Sequence, residues 1–321
     1  MPGITKCMRD LFVTGTTASG LSRIGYLDIA EQLSRANRKL FSQEMVYGVE
    51  DVRFGFQASP AYDTVTVTLS TAGDTWSVHN GYVKARALWH EMNDLVLKDN
   101  PSVAGQWADY KVFMDNTHRI IRNAGDKMQV ITSEGIPTLP GAWDYSEYVV
   151  PQHDVDAAGV PLPADQTFVH LLGADSGAIG AWNSIGIVNA YQESRATVQD
   201  DSPNVPVGFK DSFFNLLTDS GSQEPELADL IVADNDSPPY DLLNYPGGDL
   251  NSVDAWVSAF GTANGSVPTA TTPGFLAQCG LVKILVNATL NGEAVNPPAI
   301  NLLFSIAPGM YKGVAAIPMG Q

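Results

Sequence analysis

Asp63-Thr-Val-Thr-Val-Thr-Leu-Ser70 alternates without a break, with Val65, Val67 and Leu69 on one side and Thr64, Thr66 and Thr68 on the other. Side chains of a strand point to opposite faces in turn, so the stretch reads as an antiparallel strand buried on one face. Just upstream, Val52, Phe54 and Phe56 alternate with Asp51, Arg53 and Gly55, and Ser59-Pro60 breaks the run. Downstream comes one strong helix. Tyr82, Ala85, Trp89, Met92 and Val96 recur at helical spacing, and Leu88 and Leu95 widen the stripe. Ser77 can cap this helix, and Asn100-Pro101 ends it.

Strand-like pieces resume over 107–114, 127–132 and 143–150. The polar, Pro- and Asp-rich segment 151–163 is the candidate domain boundary. Beyond it, strands are expected over 167–172 and 179–198, with short helices over 209–217 and 225–232. A long loop follows over 233–249. Residues 253–260 fit either a strand or a helix, and 261–274 reads as a loop. Strands at 280–290 and 300–306 close the chain, and Asn291-Gly292 between them is a type I′ hairpin signal. Helices are inserted among the strands and do not alternate with them, which excludes a doubly wound α/β fold. A mainly β architecture of sandwiches or jelly-roll barrels fits best.

The chain has 321 residues, enough for one large or two medium domains. Asp and Glu number 35 against 18 Lys and Arg, a net charge of -17. Nucleic acid is therefore not bound by the bulk of the surface. Only 17% of residues are charged, although 44% are hydrophobic. A free monomer usually carries more surface charge, so much of this surface is expected to be covered by neighbours. No apolar run is long enough to span a membrane, and no secretory signal is visible at the N-terminus. Cys7 and Cys279 make no disulfide framework.

Charge is unevenly placed. Residues 1–40 hold six cations and three carboxylates, which leaves -20 for the rest. The first 20 residues read as an irregular arm. Residues 27–41 read as a helix, with Ile29, Leu33, Ala36 and Leu40 on one face and Arg35, Arg38 and Lys39 at its end. Arg23, Arg35, Arg38 and Lys39 are the candidate contacts for an anionic partner, a lipid surface or a genome. The plainer reading is a helix packed on its own domain.

Motifs for chemistry are weak. His90-Glu91-Met92-Asn93-Asp94 starts like the zinc helix HExxH but lacks the second histidine. Gly173-Ala174-Asp175-Ser176-Gly177 contains the triplet of trypsin-like nucleophile loops, without a base histidine in any recognisable motif; Asp219-Ser220-Gly221 repeats it, and a tight turn explains both. Phosphate loops are absent. The carboxylate pairs Asp154/Asp156, Asp200/Asp201 and Asp234/Asp236 read as solvated loop charge, with calcium as the alternative. Asn264 and Asn287 match the glycosylation pattern by chance. Six tryptophans are spread through the chain, as core packing or as sugar platforms. No catalytic residue, metal ligand or cofactor is expected.

The run from Trp76 to Phe113, WSVHNGYVKARALWHEMNDLVLKDNPSVAGQWADYKVF, resembles major capsid proteins of small icosahedral single-stranded-DNA phages with an internal membrane, the Flavobacterium-infecting lipid-containing phage and its relatives. The likeness covers about 40 residues, and these carry Lys84, Arg86, Trp89, Asn100-Pro101 and Trp107. It implies a double jelly roll, two barrels side by side. It also implies a homotrimer that forms a pseudo-hexameric capsomer, a shell around a membrane and genome, and residence in the virion. Minor capsid proteins and the membrane are further partners it implies, and no small-molecule substrate. The division expected is then an N-terminal arm with a basic helix over 1–43, a first barrel over 44–155 and a second over 156–321. A fibre, spike or carbohydrate-binding jelly roll is the alternative, followed by a glycan-active enzyme with two converging carboxylates, one of raised pKa.

Overall fold

Alternating strands bury one face each, so two such sheets must meet face to face. The computed structural model describes residues 6–103, 109–132, 134–138, 143–150, 165–178, 181–193 and 255–320. Before residue 72 the strands are β1 (Asp10–Thr14), β2 (Thr17–Ser19), β3 (Ser22–Asp28), β4 (Met45–Gly55) and β5 (Thr64–Thr71). Then come β6 (Gln129–Val130), β7 (Glu147–Val150), β8 (Asp165–His170), β9 (Ser176–Ala178) and β10 (Ala181–Gly186). The last group is β11 (Trp256–Ala263), β12 (Thr269–Thr272), β13 (Phe275–Ala277), β14 (Leu281–Leu290), β15 (Glu293–Val295), β16 (Asn301–Ile306), β17 (Pro308–Tyr311) and β18 (Ala316–Pro318). The helices are α1 (Ile29–Asn37), α2 (Trp76–Asp99), α3 (Asn116–Asn123) and α4 (Ile187–Glu193).

One sheet runs β12-β4-β16-β1-β6, with β13 and β18 also paired to β4. The other runs β11-β5-β14-β3-β2, with β15 on β14. Taking β1, β3, β4, β5, β11, β12, β14 and β16 as strands 1 to 8, the sheets read 1-8-3-6 and 2-7-4-5. That wiring, with each sheet drawing strands from both ends of the chain, is a jelly roll. Its core is dry. Leu11, Leu27, Val52, Val67, Leu69, Ile284, Val286, Leu302 and Phe304 are fully buried in one cluster. Gly261 lets β11 close over it, because a Cβ there would sit 2.8 Å from Phe54 Cε1. Asn291 and Gly292 both have positive φ, as the β14–β15 turn requires.

The mainly β class therefore holds, and the expected domain limits do not. β4 and β5 pair with β16, β12, β14 and β11, so a cut near residue 155 would divide both sheets. Nor is the N-terminal segment an arm from residue 10 onward. β1 and β3 lie inside the sheets, with Leu11, Val13 and Leu27 turned into the core. Strands this short, bounded by Gly15, Gly20 and polar residues, have too few inward positions for their period to stand out. Among the described residues there is one such sandwich. The expected loop 261–274 is largely β11 and β12. The segments 209–217, 225–232 and 233–249 lie outside the described residues.

Apart from β6, which joins the sandwich beside β1, the described residues between β5 and β11 form an insertion at one end of the sandwich. α1 leaves β3 at the same end. A second apolar cluster, built on Tyr82, Tyr110, Val112, Met114, Leu171 and Val188, packs the insertion against Tyr26, Val46 and Leu281 of the sandwich. A four-stranded sheet, β7-β8-β10-β9, flanks it, with β8 and β10 parallel. The strand expected over 179–198 is β10 followed by α4. Thr75, rather than Ser77, caps α2 by accepting from Val78 N. Only the first turns of α2 are buried. Leu88, Leu95 and Val96 are about half exposed, so the expected stripe packs through Tyr82, Ala85 and Trp89 and not along the whole helix.

Candidate functional site

Asp28 ends β3 and caps α1, its Oδ1 accepting from Glu31 N at 3.1 Å. Its Oδ2 accepts from Gln43 Nε2 at 2.7 Å, Trp143 Nε1 at 3.0 Å and the Tyr145 hydroxyl at 3.3 Å. Gln43 in turn accepts from Val112 N at 2.8 Å. One turn on, both oxygens of Glu31 accept from Arg122, at 2.8 and 2.9 Å. Arg35 adds an ionic contact to Glu31 at 2.5 Å but makes no aligned hydrogen bond. Arg122 also lies 4.7 Å over the Tyr145 ring, which stacks on Phe113. Lys111, 5% exposed, places its Nζ 4.9 Å from the Trp143 ring, and burial pulls its ammonium pKa down.

A second knot lies alongside. Asp115 caps α3 by accepting from His118 N at 2.7 Å. Its other oxygen accepts from the Tyr26 hydroxyl at 2.8 Å and from Lys283 Nζ at 3.1 Å. The His118 ring stacks on Tyr26, and its Nδ1 accepts from Met114 N. Burial, helped by the charge of Arg122, holds this ring well below its ordinary pKa and so neutral. The two knots tie β3, α1 and β14 of the sandwich to residues 109–145 of the insertion.

Asp28 and Glu31 are two converging carboxylates, and Asp28 is pushed up to about 6, first by burial and then by the charge of Glu31. A glycan-active enzyme needs such a pair in a cleft. Here the pair is buried, with Asp28 2% and Glu31 1% exposed. What this arrangement can do is fasten two parts of the molecule.

A serine–histidine pair is also present. His170 Nε2 faces the Ala174 carbonyl at 3.1 Å, so that nitrogen carries the proton. Nδ1 then accepts from the Ser184 hydroxyl at 2.6 Å. In form this is a nucleophile and its base. Both residues are fully buried, and burial lowers the His170 pKa, so the pair braces β8 against β10. His170 stands five residues before the 175–177 triplet, yet its partner is Ser184 and not Ser176. No spacing in the sequence reveals a pairing made across parallel strands. Asp175 accepts from Gly186 N at 2.7 Å and Ser176 and Gly177 open β9, so the triplet is tied to β10 as the start of a strand and is not the expected tight turn.

The basic candidates separate. Arg35 is buried against Glu31, where the helix turns it toward the insertion and away from any outside partner. Arg23 is half-buried and donates to the Thr16 hydroxyl and carbonyl. Arg38 and Lys39 are exposed, just beyond α1. Lys312 joins them, donating to the Leu40 carbonyl, and Arg9 reaches the Ile306 carbonyl nearby. These four give an acidic molecule a small cationic patch at the insertion end of the sandwich.

Among the described residues, no group of three or more His, Cys, Asp or Glu side chains is placed to hold a metal, and no helix is long and apolar enough to cross a membrane. The pairs Asp154/Asp156, Asp200/Asp201 and Asp234/Asp236 lie outside the described residues. Cys7 and Cys279 are both free thiols. Trp143 is buried, whereas Trp76 and Trp256 are 40% and 54% exposed. No known protein family, curated protein or solved structure matches the chain.

Proposed function

We propose that this chain is a structural shell subunit, a capsid protein that works by packing against copies of itself. The observation that carries the reading is the jelly-roll wiring of the two sheets, combined with polar clusters that are closed to any substrate. The run over 76–113 adds the resemblance to capsid proteins of membrane-containing icosahedral phages. In this reading three copies form a capsomer, and capsomers tile a shell in the virion. The patch of Arg9, Arg38, Lys39 and Lys312 faces anionic lipid or genome inside it. A two-barrel subunit, as the resemblance implies, would have to draw its second barrel from residues 72–255 alone, because the first uses both ends of the chain.

The test is sedimentation of the purified protein together with electron microscopy. Trimers of about 103 kDa, three times 34.4 kDa, and larger closed or sheet-like assemblies are expected. A chain that stays monomeric at high concentration defeats the reading.

One observation favours a second reading, a carbohydrate-binding jelly roll. A groove crosses the outer face of the β4–β16–β1 sheet, lined by Phe12, Arg53, Gly55, Thr269, Asn301 and Leu303. An exposed ring beside hydrogen-bonding side chains suits a sugar. Micromolar binding on a glycan array, lost in Phe12→Ala, would favour it.

A further inference from the structure

The two flanks of the sandwich are finished differently. On one, β6 lies outside β1 and β2 lies outside β3, so both sheets are extended and the long strands are covered. On the other, among the described residues, β11 is the last strand of its sheet, paired only to β5. Among the same residues β12 is the last strand of the facing sheet, paired only to β4.

The composition of this open flank is unusual. Residues 255–282 contain no charged side chain in 28 positions, where the chain's average of 17% would place about five. Edge strands are normally guarded by charge, by proline or by being very short, because their free N–H and C=O groups accept another strand. β11 is eight residues long and has neither charge nor proline. Its outward side chains are large and apolar, with Trp256, Val257 and Phe260 54%, 61% and 63% exposed. Val267, in the turn to β12, is 59% exposed. Past an irregularity between Val257 and Ala259, the strand keeps regular register with β5 as far as Ala263.

Electrostatics selects the occupant. Each copy carries -17, so two copies repel wherever carboxylates face one another. A partner of opposite charge finds no carboxylate on 255–282 to bind. A second copy meeting this flank with its own brings no charge into the contact. Two identical antiparallel strands also satisfy each other about a twofold axis without any separate complementary site.

We infer that the β11–β12 flank is a docking surface for a second copy of this chain, with β11 pairing antiparallel to its counterpart so that the sheet continues across the contact. The inference rests on the shell reading and deepens it, because this twofold contact joins capsomers and is distinct from the contact that builds the trimer.

The experiment uses the full chain. Sedimentation across a concentration series compares the wild type with Phe260→Glu and with Ile120→Glu, a position on α3 that is 54% exposed against 63% for Phe260. The wild type and Ile120→Glu should pass beyond the trimer as concentration rises, whereas Phe260→Glu should stop at the trimer, with the higher association weakened at least tenfold. Phe260→Cys supplies a check independent of folding losses in the glutamate variant. It should form a covalent dimer under mild oxidation at a rate that Ile120→Cys does not reach; Cys7 is common to both. Higher species formed equally by Phe260→Glu, with no faster crosslinking of Phe260→Cys, would overturn the inference and leave the shell reading standing. A wild type that never leaves the monomer would overturn both.

Discussion

The sandwich and its junction with the insertion are held by different physics. In the sandwich, Ile284, Val286, Leu302 and Phe304 interdigitate without a polar atom among them, and the sheets above and below satisfy their own backbone. At the junction an apolar cluster is joined by buried Asp28, Glu31, Arg35 and Asp115 with half-buried Arg122 and Lys283, and each of these charges is held by a specific opposite charge or hydrogen bond. Apolar burial tolerates small shifts and scales with area. A buried ion cluster does neither: it is costly to form and worse to leave half-made. The sandwich is thus the part that makes the chain fold, and the junction is the part that fixes how the insertion leaves it.

Three substitutions separate the two regions. The largest effect is expected in the sandwich. Phe304→Ala leaves a cavity beside Val52 and Leu11 and should cost about 3–5 kcal/mol in denaturant unfolding, with every probe shifted together. Next is the junction. Arg122→Met removes the bidentate partner of buried Glu31 and should cost about 3 kcal/mol. Its loss should be local, so hydrogen exchange at Val112 and Val130 rises before exchange in β5 and β14 does. Uniform exchange across both regions would mean that the junction and the sandwich are one cooperative unit, and that the contrast drawn above is wrong.

The smallest effect is a pH dependence. The Asp28 carboxyl is raised to about 6 in the folded chain, above its unfolded value near 4, so the folded state binds the proton more tightly. Its contribution to stability is therefore greatest below pH 4 and is lost as pH rises through about 6. The difference in melting temperature between the wild type and Asp28→Asn, followed from pH 4 to pH 7, should shift against the wild type by the equivalent of about 1–2 kcal/mol. A flat difference would mean that Gln43, Trp143 and Tyr145 hold the carboxylate ionised throughout.

These regions were also unequally legible. Period-two alternation reveals β4, β5 and β14, and Asn291-Gly292 reveals the turn after β14, because those signals are local; that the turn leads into β15, and not into the strand at 301–306, is not a local matter. The same logic overextends α2: Leu88 and Leu95 obey helical spacing, but spacing cannot say that nothing covers them. α1 was visible as a helix with a basic end. That Arg35 turns inward to Glu31 while Arg38 and Lys39 stay in solvent depends on where residues 109–145 lie.

Local periodicity and composition determined the mainly β class, the strong helix, the turns, the acidic balance and the weakness of every catalytic motif. Only the tertiary structure decided that the first strands pair with the last, that two carboxylates and a serine–histidine pair are buried inside, and that among the described residues one flank carries no further strand. The physical reason is distance along the chain. Partners such as Leu11 and Phe304, or Glu31 and Arg122, lie too far apart in sequence for any local pattern to record that they meet.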